Sequence, residues 1–206
     1  MNNSLLAQPL ICASGQLLNG LLAYYPQAIH SPDTLYNDLA ENLPWQQGSI
    51  LIYGKRHKIP RLQCWIADPG LNYTYSGEQL PLTPWPPLLQ QLRLELNQAF
   101  DLRLNSVLCN LYRDGQDAMG WHSDNEPELG SDPAILSVTL GAQRDFALRP
   151  TGSTRQSAKI ALEDGSLLYM KAGMQSLWQH AVPRRAGIRS ARINLTFREI
   201  IQPLAR

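Results

Sequence analysis

Cysteine is scarce in this 206-residue chain: Cys12, Cys64 and Cys109 are odd in number and form no C-x-x-C pair. That disfavours a disulfide framework or a structural zinc site and fits a reducing compartment. Long apolar runs are missing too. The stretch 17–25 is interrupted by Asn19 and Gly20, far short of the roughly 18 residues that define a membrane-helix candidate. No basic region precedes the first apolar segment, so no signal peptide is expected. No membrane partner is expected, and the cytoplasm, or the nucleus in a eukaryote, is the expected location. Net charge is almost absent: 18 Lys and Arg against 17 Asp and Glu leave +1, which neither demands nor excludes a nucleic-acid partner. Histidine is rare as well, with only His30, His57, His122 and His180.

What is present describes a folded protein. Hydrophobic residues make up 44% and charged residues 17%, the balance of a chain that packs rather than stays disordered. Its length is enough to bury a full core. We expect an N-terminal arm and short helix over 1–48, then one domain over 49–206, acting as a monomer.

Residues 1–28 read as an irregular arm. Ser31-Pro32 has the form of an N-cap followed by proline at the first helical position, opening a helix to about Asn42 with Leu35, Leu39 and Leu43 on one face. Strands are expected over Gly48–Tyr53 and Arg61–Ala67, the latter leaving through the turn Asp68-Pro69-Gly70. A second helix is expected from a Thr83 cap and Pro84 to about Phe100, with Leu88, Leu92 and Leu96 at helical spacing. Short strands then follow at Ser106–Arg113, Ala134–Leu140, Asp145–Arg149, Lys159–Leu162, Ser166–Met170, Gln175–His180 and Ala191–Ile200. Glycine and proline punctuate them roughly every ten residues, the pattern of a β-sandwich or barrel. The fold class is therefore mainly β with two helices backing a sandwich.

The chemistry sits in this β-rich half. His122 and Asp124 are two apart, so in extended backbone their side chains leave on one side and can share an ion. His180, from another strand, would complete the two-histidine, one-carboxylate set of a facial Fe(II) site with open positions. An incidental loop pair is the alternative reading of His122 and Asp124 alone. Arg192, Asn194, Thr196 and Arg198 alternate along one strand and share a face, while Ile193, Leu195 and Phe197 take the other. Arginine forks match carboxylates. A 2-oxo acid would chelate such a metal and leave room for dioxygen, and a second carboxylate on it would explain a buried arginine. Asn110 and Tyr112 share a face on a neighbouring strand.

The order and spacing of these pieces resemble the AlkB family of Fe(II)/2-oxoglutarate dioxygenases, closest to the animal-type DNA demethylases. The resemblance covers roughly 50–200 and is carried by Tyr53-Gly54-Lys55, Leu71-Asn72-Tyr73-Thr74-Tyr75-Ser76-Gly77, Asn110-Leu111-Tyr112-Arg113-Asp114-Gly115, His122-Ser123-Asp124-Asn125-Glu126, Arg144-Asp145-Phe146, Gly165-Ser166-Leu167-Leu168 and Arg192 through Arg198. It implies a double-stranded β-helix (jelly roll) with two buttressing helices. It implies His122, Asp124 and His180 as iron ligands and catalytic residues. Asn110, Tyr112, Arg192 and Arg198, supported by Asn194 and Thr196, would hold 2-oxoglutarate, one arginine to each carboxylate in an order the sequence leaves open.

The reaction implied is oxidative N-demethylation of bases such as 1-methyladenine and 3-methylcytosine in DNA. It uses O2 and releases formaldehyde, succinate and CO2. A base must leave the stack to be reached. Tyr73 and Tyr75 would then border it, and Glu126 would accept a hydrogen bond from its amino group. Tyr53 stands where duplex-acting relatives place an aromatic wedge. Lys55, Arg56, Lys58 and Arg61 form a basic cluster suited to phosphates. The alternatives are an RNA-directed demethylase, action on a protein side chain, a non-catalytic nucleic-acid-binding module, and a zinc hydrolase, which would leave Arg192 and Arg198 unexplained.

Overall fold

Alternation of inward and outward residues over short stretches drives the chain into two facing sheets. The computed structural model describes residues 4–12, 14–52, 55–72, 74–75 and 78–201. In chain order its elements are β1 (Ser14–Leu17), β2 (Leu22–Tyr25), α1 (Pro32–Asn42), β3 (Ser49–Ile52), β4 (Lys55–Lys58), β5 (Leu62–Ala67), β6 (Thr74–Tyr75), β7 (Glu78–Gln79) and β8 (Leu82–Thr83). There follow α2 (Pro87–Phe100), β9 (Ser106–Tyr112), β10 (Met119–His122), β11 (Ile135–Gly141), β12 (Arg144–Pro150), β13 (Ala158–Leu162), β14 (Ser166–Met170), the helical turn α3 (Met174–Leu177), β15 (Trp178–Val182) and β16 (Arg192–Arg198).

The large sheet runs β1-β2-β14-β11-β16-β9-β5-β8, and the small one β10-β15-β12-β13. The strand spacing led to the expectation of a sandwich or barrel, and the two sheets form the jelly roll that the resemblance implied. Two hairpins, β3–β4 and β6–β7, stand outside both sheets. The outer face of the large sheet presents Leu136, Val138, Leu140, Ile193, Leu195 and Phe197 to the helices, which answer with Leu35, Leu39, Leu89, Leu92 and Leu96. Each such leucine, fully buried, contributes roughly 1.5–3 kcal/mol. The inner face is apolar at both ends. Ile135, Phe146, Leu148 and Met170 pack at one end, and Trp65, Leu108, Leu129 and Ile200 at the other. Its polar centre is the site.

Several expectations about elements need correction. The stretch 1–28 is not an irregular arm: β2 pairs with β14 in the large sheet, with Tyr24 opposite Leu168. Ahead of it, the backbone N–H groups of Leu5 and Leu6 each donate to Glu95 of α2 at 2.9 Å. Ser31 does not cap α1 with its side chain, because its backbone is left-handed (φ 50°); Pro32 opens the helix instead. α2 begins at Pro87, not at Thr83. Pro84, Pro86 and Pro87 each bias the residue before them toward extended backbone, and Leu82–Thr83 pairs in parallel with β5. Gln175 belongs to α3, so the strand carrying His180 starts only at Trp178. Among the described residues no helix is long and apolar enough to cross a membrane.

Candidate functional site

β10 and β15 pair so that His122 stands directly opposite His180. Their rings lie 4.2 Å apart between centroids at 61°, and Phe146 stacks on the far side of His180 at 4.9 Å. Just beyond the end of β10, Asp124 turns back, its Oδ1 3.5 Å from His122 Nε2. One potential ligand atom from each of His122, Asp124 and His180 lies within 4.8 Å of the others. The short loop that holds Asp124 is pinned to the β15 side. The Ser123 hydroxyl donates to the Trp178 carbonyl at 2.9 Å, and the Asp124 N–H donates to Gln175 Oε1 at 3.0 Å.

Protonation suits a cation. His122 Nδ1 lies 2.9 Å from the Gly120 carbonyl, which can only accept, so the proton resides on Nδ1 and Nε2 keeps its lone pair. Burial lowers the His122 pKa, with Asp124 opposing. Burial, and then the neighbouring His122, push His180 down to about 3. Burial would raise the Asp124 pKa, but the Arg198 guanidinium and the two imidazoles override it and hold the carboxyl well below the usual range. Asp124 Oδ1 and His180 Nδ1 are buried without a hydrogen-bond partner. Two neutral imidazoles and an ionised carboxylate with unsatisfied acceptors fit a divalent metal, and nitrogen and oxygen donors of this kind suit Fe(II).

The same pocket is lined by Asn110, Tyr112, Asn194, Thr196 and Arg198, all expected from the sequence, and by Ser137, Met119, Phe146 and Val182. β16 lies between β9 and β11, with Asn194 opposite both Asn110 and Thr139. Arg198 Nη2 lies 2.9 Å from Asp124 Oδ2. Toward the other end of β16, Arg192 leans back along its own strand. Its Nη2 donates to Asn194 Oδ1 at 2.6 Å and to Thr139 Oγ1 at 2.8 Å. Asn194 then donates to Thr196 Oγ1 at 2.8 Å. Arg192 is 1% exposed, and its Nε and Nη1 are buried with no partner. Burial pulls its pKa down to about 10, with the Tyr112 side chain opposing. A guanidinium so enclosed is costly unless an anion meets it.

Arg61 requires a correction. It is 4% exposed rather than part of a surface cluster; its Nε donates to Asn110 Oδ1 at 2.8 Å. It sits beside the start of β5, whose Leu62 pairs with Leu111 of β9, so it supports the pocket wall instead of facing solvent. Lys55 does lie exposed on β4 with Arg56 and Lys58. Glu126 is half-buried just ahead of the 3-10 turn Pro127–Leu129 and is not among the residues lining the pocket. Tyr53 and Tyr73 lie outside the described residues. Of Tyr75 only the backbone is described, in β6.

Three contributors carried no clear sequence signal. Gln175 orients the Asp124 loop from a helical turn. Ser137 donates to Asn194 at 3.1 Å, and only the alternation of polar Ser137 and Thr139 within β11 hinted at an inner face. Arg144, matched by resemblance but without a physical role until now, is 2% exposed. It donates to the carbonyls of Asp114, Asp117 and Pro183 and lies over the Tyr112 ring. The loop it holds approaches its neighbour so closely that a Cβ on Gly115 would fall 1.7 Å from the Arg185 carbonyl oxygen.

The family described as the 2OG-Fe(II) oxygenase superfamily matches residues 18–198. Alpha-ketoglutarate-dependent dioxygenase alkB homolog 3 of Homo sapiens is 35% identical over 181 residues, 84% of this chain and 63% of that protein. The chain thus spans less than two thirds of that relative. DNA oxidative demethylase ALKBH2 of Mus musculus is 36% identical over 179 residues, 82% of this chain and 75% of that protein. Among solved structures, OsALKBH1 shares the fold with a TM-score of 0.65 and 19% identity, covering 89% of this chain and 100% of that one.

Proposed function

This chain belongs to the 2OG-Fe(II) oxygenase superfamily, in its AlkB branch, and on that basis we propose that it oxidatively removes methyl groups from the nitrogens of alkylated DNA bases, 1-methyladenine and 3-methylcytosine among them. The observation that carries this reading is Arg192, a buried guanidinium with two nitrogens left without a hydrogen-bond partner, bonded to Asn194, which lines the same pocket as the His-Asp-His cluster. A small dicarboxylate spanning from the metal to Arg192 would satisfy both.

In this reading His122, Asp124 and His180 hold Fe(II). With 2-oxoglutarate bound, the iron would let O2 oxidise the cosubstrate to succinate and CO2 and place the second oxygen atom on the methyl carbon, whose hydroxymethyl product sheds formaldehyde and a proton and restores the unmethylated ring nitrogen. The protein's part is placement. Arg192 takes the remote carboxylate of 2-oxoglutarate, with Thr139 and Asn194 fixing the guanidinium plane. Arg198 keeps Asp124 ionised and stands by the carboxylate nearer the metal. Arg61 occupies Asn110 Oδ1, which leaves the Asn110 amide N–H groups for the ligand. Met119, Phe146 and Val182 give the pocket apolar walls that limit water. Lys55 would hold a phosphate, and Glu126 would accept from the exocyclic amino group of a cationic lesion.

The test is mass spectrometry of methylated single-stranded DNA, duplex DNA and RNA after incubation with Fe(II), ascorbate and 2-oxoglutarate, with formaldehyde measured in parallel. Loss of the methyl group with matching formaldehyde is expected on DNA. Methyl loss confined to RNA would move the substrate class. No loss on any nucleic acid would end the nucleic-acid reading.

A further inference from the structure

A second cavity of about 350 Å³ lies near the metal pocket and shares none of its lining residues. It is enclosed by segment 44–49, by Arg56 on the β3–β4 hairpin, by Gln63 and Trp65 of β5, and by Leu80. Its size is that of a small-ligand site, and its lining is as polar as it is apolar, which suits a ligand rich in hydrogen-bonding groups. Gln63 is in register with Asn110 of β9, so the two side chains share one face of the sheet. Asn110 lines the metal pocket, so each cavity has a lining residue on one of two adjacent strands, facing the same side of the sheet.

Gln63 is 7% exposed, and its carbonyl oxygen is buried with no hydrogen-bond partner. An orphan acceptor in a folded protein calls for an explanation. The other end of the amide abuts Gly48, where a Cβ would lie 2.7 Å from Nε2. Gly48 therefore provides room for Gln63 rather than an unusual backbone angle. The terminal amide torsion is broad, so a turn about it can offer the cavity either a carbonyl or an N–H, and the two stand side by side. Their complement is an amino group next to a ring nitrogen, as on the edge of adenine or cytosine. Exposed Lys55, Arg56 and Lys58 stand on the adjoining hairpin, suited to the phosphates of the strand that carries such a base.

We propose that this cavity receives the unmodified base next to the lesion and that the Gln63 amide hydrogen-bonds its amino-bearing edge. None of His122, Asp124 and His180 lines the cavity, so a base held there is not the one that reacts. Gln63 is thus a determinant of sequence context. The proposal rests on the DNA-demethylase reading above.

The test measures anisotropy of labelled single-stranded DNA carrying one 1-methyladenine. The neighbour on each side in turn is adenine or purine, which is adenine without its amino group. The unaltered chain should prefer adenine at one flank by about tenfold. Gln63→Leu should abolish that preference, and Gly48→Ala, which displaces the amide, should shrink it. Gln63→Leu should also melt about 2–4 °C above the unaltered chain, because an orphan polar group has been removed; a purely structural glutamine would give a lower melting temperature. Equal affinity for adenine and purine at both flanks, or a preference that survives in Gln63→Leu, overturns the proposal. Methyl removal without any flank preference fails this cavity alone. Absence of both binding and methyl removal on every strand fails the functional reading as well.

Discussion

Arg198 and Asp124 form a buried ion pair beside His122 and His180, 2.9 Å between Nη2 and Oδ2, with their side chains 4% and 2% exposed. The pair joins the two halves of the constellation. Asp124 is held by the loop after β10 in the small sheet, and Arg198 ends β16 in the large one. The guanidinium that we propose stands by a carboxylate of the cosubstrate also keeps Asp124 ionised against the pull of burial.

Replacing Arg198 with alanine strands a buried carboxylate. Removing one partner of such a pair costs about 3–5 kcal/mol. In a chain of this length that is on the order of 10 °C in melting temperature. Calorimetry of the metal-free Arg198→Ala variant should show that drop, and the 2-oxoglutarate concentration for half-maximal turnover should rise at least about tenfold. A melting temperature within a degree of the unaltered protein, with an unchanged cosubstrate requirement, would contradict both roles.

Acid should destabilise the metal-free protein earlier than its ordinary carboxylates alone would dictate. His180 has a folded pKa of about 3 against an ordinary value of 6.5. The unfolded chain therefore takes up a proton near pH 6.5 that the folded protein refuses until about pH 3. Stability from this group is complete above 6.5 and declines as pH falls toward 3, by up to about 1.4 kcal/mol per pH unit. His122 acts with the same sign over the upper part of that range. Asp124, lowered from 3.8, adds a further loss below about pH 4. Urea unfolding of metal-free protein at pH 7, 6, 5 and 4 should show a progressive loss. His180→Gln should flatten the profile between pH 6.5 and 5. A flat profile in the unaltered chain would show that the imidazole is not held neutral.

How much of this was legible in the sequence follows from the range of each interaction. His122 and Asp124 announce themselves because two-residue spacing in extended backbone is a local rule, and the strict alternation Arg192-Asn194-Thr196-Arg198 is another. Those rules identify faces but say nothing of which faces meet. Arg61 shows the limit. In sequence it belongs with Lys55, Arg56 and Lys58, yet it is buried and bonded to Asn110, 49 residues away. Gln175 and Arg144 bind backbone atoms of distant loops, for which no spacing exists to be read. The helix starts misled for a local reason: Ser31 and Thr83 are cap-type residues. A left-handed backbone at Ser31 and a run of prolines after Thr83 decided otherwise.

Arg192 should be a liability to the free protein and indispensable to the loaded one. With Nε and Nη1 buried and unpaired, its charge is only partly compensated by Asn194, Thr139 and the Tyr112 ring, which lies 5.3 Å from the guanidinium carbon. Arg192→Met keeps most of the volume and removes the charge. Its melting temperature without ligand should equal or exceed that of the unaltered chain, while 2-oxoglutarate affinity, read by calorimetry with Mn(II) in place of iron, should fall about a hundredfold. A marked loss of stability together with intact affinity would mean that Arg192 is a structural cation and the carboxylate site lies elsewhere.

Metal loading should release almost no protons at neutral pH. Ligands must be deprotonated to bind a metal, so proton release reports their state beforehand. Here both imidazoles are already held neutral and Asp124 is already ionised. His122 even has its tautomer chosen, with Nδ1–H donating to Gly120 and Nε2 left for the ion. Anaerobic titration calorimetry with Fe(II) at pH 7, repeated in buffers of different ionisation enthalpy, should give fewer than about 0.5 protons per ion. His122→Ala should lose measurable iron affinity while melting as a folded protein. Release of a full proton would show that one imidazole is charged in the metal-free site, and iron retention by His122→Ala would remove it from the ligand set.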